Sequence, residues 1–217
     1  MLARAHKNMS IFDEEYYIDE AINLILGAED TLCSSLVWYF WLIASNPQVE
    51  KEIIREINDQ KNNNNKVYMH ASICESMRLY PPIPQESKQA MEDDILPDGT
   101  KVKKGTRVFY NIFAMGRSPE LWGENWEDFK PERWLEKDES TGNWRFTPRD
   151  PFTYPVFQAG PRTCLGKDIA FMQIQLVATT VLKQFQIVPA VEGYSPIYGS
   201  SMTSKMRNGF PIRILRR

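Results

Sequence analysis

At 217 residues the chain is long enough for one domain of ordinary size or one large piece of a bigger one. A formal net charge of −2 and a pI near 5.8 provide no global basic field, which argues against nucleic acid as a partner. Cys33, Cys74 and Cys164 are odd in number and lack paired spacing, which argues against a disulfide framework and fits a reducing compartment.

The segment Met1-Leu2-Ala3-Arg4-Ala5-His6-Lys7 has basic residues but no apolar run behind it, so it reads as neither signal peptide nor signal anchor. From Asp13 to Ser45 apolar residues recur at helical spacing, and the pattern predicts one long helix over 13–45. Its C-terminal half is apolar nearly all round, which marks a core helix; the run Leu32 to Ala44 is too short for the roughly 20 residues of a membrane span. Asn46 as cap and Pro47 at the first helical position start a second helix with Val49, Ile53, Ile54 and Ile57 on one face. An Asn-rich polar loop follows, from Asn58 to Lys66.

A third helix is predicted over 67–80, stopped by Pro81-Pro82. Asp98-Gly99 signals a hairpin, Lys101 to Tyr110 reads as short strands broken by a turn, and Ser118-Pro119 caps a short helix. From Trp122 to Asp150 no period is visible, and the aromatic content predicts a long ordered coil. A last helix is predicted from Gly166 to Gln184, with Ile169, Met172, Leu176, Val177 and Val181 as its apolar stripe. Strands around Gln186-Ile187-Val188 and Phe210 to Ile214 close the chain.

The densest chemical signal is at 157–166, where Cys164 stands between Gly160 and Gly166, with Arg162 two positions before it. The glycines permit the tight backbone that would let a loop pass close under a flat macrocycle. The start of the following helix favours thiolate over thiol, and only the thiolate is a strong ligand. By itself a free cysteine is more commonly a buried small hydrophobe, and a redox-reactive thiol without any cofactor is a further reading. Two other features stand out: Asp30-Thr31, polar residues interrupting an apolar helix behind Gly27-Ala28, and Glu75 with Arg78 at i and i+3. For Thr31 the alternatives are a hydroxyl bonded back to its own helix or a group that handles protons beside a ligand.

The full pattern Phe-x-x-Gly-x-Arg-x-Cys-x-Gly resembles the signature of the cytochrome P-450 monooxygenases, and Gly160-Pro161-Arg162 is similar to its plant form. Glu75-x-x-Arg78 and Pro131-Glu132-Arg133 resemble two further segments of that family, and Ala28-Glu29-Asp30-Thr31 its oxygen-activating segment, with Ala28 where glycine is usual. The resemblance implies a mainly α fold with small β-sheets, the C-terminal, haem-proximal part of the cytochrome P-450 fold, as one partial domain over 1–217. It implies haem b ligated by Cys164, with Phe157, Gly160, Arg162, Gly166 and Lys88 around the cofactor. Thr31 and Asp30 would serve proton delivery, and Glu75, Arg78 and Arg133 a buried structural network. Ala28, Ile83, Pro84, Met202 and Thr203 would line the substrate site.

The stretch from Glu75 to Cys164 is most similar to plant fatty-acid ω-hydroxylases and oxidases of jasmonoyl conjugates. The implied activity is insertion of one oxygen atom into a C–H bond of a hydrophobic small molecule. A NADPH-dependent cytochrome P-450 reductase is the implied electron donor, and the cytosolic face of the endoplasmic reticulum membrane the site of the full-length parent. The chain is about half the family's length, so the anchor and distal helices are expected to be absent and apolar helix faces exposed. That raises a second expectation, a haem-binding or interaction fragment without turnover.

Overall fold

The computed structural model describes residues 14–59, 66–140 and 142–217. The N-terminal segment before Glu14 and most of the Asn-rich loop, over 60–65, lie outside them. Helix α1 spans Glu14–Ser45, α2 Pro47–Asn58 and α3 Val67–Leu79. Short strands follow: β1 Glu86–Gln89, β2 Asp94–Ile95, β3 Lys101–Val102 and β4 Arg107–Tyr110. Two single-turn helices, α4 Ile112–Met115 and α5 Pro119–Trp122, lead to a 3-10 turn at Pro131–Trp134 and the pair β5 Leu135–Lys137 and β6 Trp144–Phe146. After 3-10 turns at Pro155–Phe157 and Gly160–Arg162 come α6 Lys167–Gln184, β7 Phe185–Pro189, β8 Ile197–Ser200, β9 Ser204–Arg207 and β10 Ile212–Arg216. The strands pair two by two, all antiparallel: β1 with β4, β2 with β3, β5 with β6, β8 with β9, and β7 with β10. The architecture is thus mainly α with small sheets, as expected.

Local chemistry explains the helix ends. Asn46 occupies the cap position before Pro47, but its side chain does not cap α2; its amide donates back to Leu42 O at 2.7 Å and closes α1 instead. The start of α3 lacks a local cap, because Lys66 precedes it. Glu56 on α2 supplies one from a distance, accepting from Tyr68 N at 2.7 Å and Met69 N at 2.8 Å. Burial pushes the Glu56 carboxyl up, and those amide bonds oppose the shift. A one-turn error in the α2–α3 register would strand both groups. Among the described residues no helix is long and apolar enough to cross a membrane.

α3 is the axis of the core. Every residue from Ala71 to Leu79 is buried, so this helix has no solvent face and its sequence shows little amphipathic contrast. Tyr39 and Ile43 of α1, Ile53 of α2, Trp122, Trp134, and Phe171, Ile174, Ala178 and Leu182 of α6 belong to the same buried cluster.

Three expectations are corrected. The predicted stripe of α6 faces the wrong way: Ile169, Met172 and Leu176 are exposed, Val177 is 37% exposed, Val181 is half-buried, and the buried face is Phe171, Ile174, Ala178 and Leu182. The helix has two apolar faces, and periodicity cannot rank them. The aromatic stretch after Trp122 is no unbroken coil, because Leu135–Lys137 and Trp144–Phe146 pair as strands, with Trp134 and Phe146 rings stacked at 6.2 Å. The pairs β1–β4 and β8–β9 add strands at Glu86–Gln89, Ile197–Ser200 and Ser204–Arg207, where short segments had given no clear alternation.

His70 on α3 sits between the Phe146 and Phe171 rings, at centroid distances of 4.5 and 4.3 Å, with Gln175 Nε2 3.2 Å from its Nδ1. Burial, aided by the nearby Lys167 charge, lowers its pKa from the ordinary 6.5. The folded state therefore holds fewer protons than the unfolded chain below that value, so stability is present above it and lost as pH falls. The urea midpoint is expected to drop between about pH 7.5 and 5.5, and His70→Phe to flatten that slope relative to wild type.

Candidate functional site

The constellation grows from α3. Glu75 and Arg78, three residues apart, meet in a two-pronged ion pair: Arg78 Nε donates to Oε2 and a terminal nitrogen to Oε1, both at 2.8 Å. Both side chains are inaccessible to solvent. Glu75 also accepts from Arg133 Nε at 3.0 Å, Trp134 Nε1 at 2.9 Å and Lys130 N at 3.1 Å. Every nitrogen of the two guanidinium groups donates at least once. Arg78 reaches Gly116 O and Asp128 O, and Arg133 reaches Trp122 O at 2.7 Å and Asn125 O. One carboxylate thereby gathers the whole aromatic stretch after Trp122 onto α3, and full satisfaction is what makes a buried charge tolerable.

Glu75, Arg78 and Arg133 thus come together as expected. Trp134, Lys130, Gly116 and Tyr154 were missed. Trp134 adjoins Pro131-Glu132-Arg133 and its ring nitrogen was a readable donor. Lys130 and Gly116 act through backbone groups, which residue identity does not reveal, and Tyr154 through a hydroxyl whose partner is a backbone carbonyl. A Cβ built on Gly116 would lie 2.1 Å from Arg78 O, so only glycine fits at this crossing. Tyr154 donates to Cys74 O at 2.9 Å, anchoring the chain just before the cysteine loop to α3; burial raises its phenol pKa.

The cysteine loop is closed by its own backbone. Cys164 N donates to Phe157 O at 2.8 Å, Thr163 N to Gly160 O at 3.1 Å, and Gly160 (φ 72°) and Gln158 (φ 65°) make the left-handed corners. Gln158, a costly residue at positive φ, accepts from Tyr110 OH at the end of β4. The Phe157 ring packs 5.2 Å from Phe171 of α6. Cys164 is exposed two residues before the cap of α6, where a Cβ on Gly166 would stand in ordinary contact, 3.9 Å from Sγ.

The surface around this thiol is apolar and open. Leu165 and Ile169 are exposed, and space beside Gly160 is empty to 4 Å. Arg162 is exposed and has no carboxylate partner among the described residues. Among the described residues no group of three or more His, Cys, Asp or Glu side chains is arranged to hold a bare ion. A lone accessible thiol over two glycines, with apolar neighbours and a free arginine, is a donor set that fits a flat haem held by one protein ligand.

The other expected residues are dispersed. Thr31 Oγ1 donates to Gly27 O at 2.9 Å and lies 3.2 Å from Ala28 O, so the back-bonded arrangement is the one present. Asp30 faces Lys205 at 3.7 Å in an exposed ion pair, a contact worth little in stability. Ala28 and Ile83 are half-buried, Pro84 is buried and accepts from Phe113 N at 3.0 Å, and Lys88 is exposed on β1 opposite Val108. Met202 is 82% exposed and Thr203 3%, neighbours at the β8–β9 turn with opposite fates.

The thiol loop thus sits at a helix N-terminus, braced by a buried Glu–Arg–Arg network in a mainly helical fold. The cytochrome P450 family profile matches residues 1–208, and the chain belongs to that monooxygenase family. It is 49% identical to cytochrome P450 94A2 of Vicia sativa and 48% to cytochrome P450 94A1 of the same plant, in each case over 94% of this chain and 41% of the relative. To cytochrome P450 94B1 of Arabidopsis thaliana it is 40% identical with the same coverage. The chain therefore spans about two fifths of the length of these relatives.

Glu75→Gln leaves two buried guanidinium groups facing a neutral amide. It is expected to cost about 3–5 kcal/mol in urea unfolding. Gly116→Ala forces Cβ into the Arg78 carbonyl and is expected to cost about 1–3 kcal/mol by the same measurement, without removing any polar group.

Proposed function

We propose that the chain is the haem-binding part of a monooxygenase that inserts one oxygen atom into a C–H bond of a hydrophobic substrate, a fatty acid or a fatty-acid-derived conjugate. The observation that carries this reading is Cys164: an exposed thiol in a loop closed by its own backbone amide, at the start of α6. Family membership and the relatives named above support it.

Haem b bound there would supply the one-electron and dioxygen chemistry that side chains cannot. The protein's contribution is ligation, orientation and proton handling. Cys164 would hold the haem iron through its sulfur, at a place in the chain next to the free N–H groups that open α6. Phe157, packed on Phe171, would add an apolar side to the site, and Gly160, with open space beside it, would leave room for the cofactor, with Gly166 on the other side of the thiol. Arg162, which has no carboxylate partner among the described residues, is suited to a propionate, and Lys88 on β1 is a second cation for the same role. Thr31 holds a proton at Oγ1, now donated to Gly27 O, and in this reading the exposed Asp30 serves proton delivery beside it. Ala28, Ile83, Pro84, Met202 and Thr203 line the substrate side in this reading. Electrons come from a NADPH-dependent reductase, and the longer parent works at the cytosolic face of the endoplasmic reticulum membrane.

A second reading has its own support: Ile169, Met172 and Leu176 on α6, and Ile18, Ile22 and Ile25 on α1, are large apolar side chains left exposed. In that reading the 217-residue chain holds haem without turnover. Expression with haem, reduction and exposure to carbon monoxide is expected to give a thiolate-type Soret band that Cys164→Ala removes. Absence of haem uptake by the wild-type chain would overturn both readings. A band without product after addition of reductase, NADPH and a fatty acid selects the second.

A further inference from the structure

A cleft of about 410 Å³ opens where the C-terminal end of α1, the end of α3, the chain just after α4 and the stretch 126–129 meet, within the roughly 300–1,000 Å³ typical of small-molecule sites. Trp41, Tyr80, Trp126 and Phe129, all half-buried, stand in its wall together with Arg117. Arg117 is itself half-buried, and among the described residues it has no carboxylate partner. Its guanidinium lies 3.5 Å from the centre of the Phe113 ring and 5.0 Å from that of Tyr80. Ring contacts of this kind occupy the faces of a guanidinium and leave its edge for the paired hydrogen bonds that suit a carboxylate.

The partners Arg117 does have are neutral. One terminal nitrogen donates to Phe113 O at 3.4 Å and the Tyr80 hydroxyl is its side-chain partner, which leaves most of the five N–H groups of a guanidinium unused. Those donors are open to solvent, because no Arg117 nitrogen is among the sealed polar atoms that lack a partner. Loss of solvent lowers the Arg117 pKa from the ordinary 12.5, and the ionisable groups that act on it are Tyr80, Arg78 and Tyr198, none of them a carboxylate. Arg78 is already neutralised by Glu75. A cation partly withdrawn from water without a counter-ion is costly, and an anionic ligand completes it.

The rest of the wall narrows the anion. The Asn46 amide is committed to Leu42 O at 2.7 Å. Glu127 and Asp128 line the cleft as exposed acids that make no ion pair with Arg117, and they disfavour a multiply charged ligand such as phosphate. Aromatic walls favour a flat apolar body.

We infer that this cleft is a binding site for a small aromatic monocarboxylate, its carboxylate paired with Arg117 and its ring set among Trp41, Trp126 and Phe129. None of these residues belongs to the expected haem or substrate sets, so the site goes beyond the haem-dependent reading and needs no iron.

The test is calorimetric titration of the full 217-residue chain, prepared without and with haem, with phenylacetate, its neutral isostere phenylacetamide, and inorganic phosphate. Phenylacetate is expected to bind saturably, with the amide at least about tenfold weaker. Arg117→Met removes that preference, Arg117→Lys reduces it because the fork is lost while the charge remains, and Trp126→Ala weakens both organic ligands together by several-fold. Equal affinity of the wild-type chain for carboxylate and amide overturns the inference, as does a preference that survives Arg117→Met. So does phosphate binding tighter than phenylacetate, or carboxylate binding that is lost in Arg162→Gln, because the anion then sits at the thiol loop. Should Arg117→Met fail to fold, the wild-type comparison of the three ligands and the Arg117→Lys variant carry the decision. Carboxylate preference in a chain that takes up no haem sustains this site while the haem reading fails; haem uptake without that preference overturns this site alone.

Discussion

A single buried carboxylate organises this molecule. Glu75 accepts from two arginines, an indole and a backbone amide, each from a different point along the chain. An ionised group at that depth is tolerable only when its lone pairs are filled, and filling them draws the irregular stretch from Trp122 to Trp134 onto α3. Aromatic packing then follows: Trp122, Trp134 and Tyr154 lie within 6.3 Å of one another, and Arg78 stands over the Trp122 ring at 5.1 Å. Hydrophobic burial supplies the stabilising energy, and the hydrogen-bond geometry selects which coil conformation receives it.

The cysteine loop inherits its position from this frame. Tyr154, tied to Cys74 O, fixes the chain ten residues ahead of the thiol, Tyr110 fixes Gln158, and the Phe157–Phe171 contact seats the loop on α6. None of these contacts touches Cys164 itself. The thiol is left accessible while everything around it is immobilised, which is what a metal ligand requires and what a packing cysteine such as Cys74 lacks. Cys74 is buried and its thiol pKa is pushed up by loss of solvent, whereas Cys164 is exposed.

α1 divides along its length in the same manner. Its C-terminal half carries Trp38, Tyr39, Leu42 and Ile43 into the core, while Ile18, Ile22, Leu24, Ile25 and Leu26 remain in solvent. Thr31 lies at the boundary, bonded back into the helix. Both α1 and α6 therefore present an apolar face with no counterpart among the described residues, next to the thiol loop in the case of α6.

Much of this was legible in the chain itself. Helix periodicity located α1, α2 and α3 to within a residue or two, because their apolar spacing and proline stops are local signals. The spacing Phe157 to Gly166 marked the loop, and the resemblance of Glu75-x-x-Arg78 and Pro131-Glu132-Arg133 to family segments marked the network, because those residues stand at fixed offsets in the chain. What the sequence could not rank was one apolar face against another: α6 carries two, and only packing against α3 selects Phe171, Ile174, Ala178 and Leu182 for burial. Nor could it disclose Gly116 beneath the Arg78 carbonyl, Glu56 capping a helix other than its own, or orphaned polar atoms at Trp38 and Thr203. Those are relations between distant segments. Local sequence determined the elements and the reactive residue types; tertiary structure decided which groups are satisfied, because satisfaction depends on partners that only folding brings within reach.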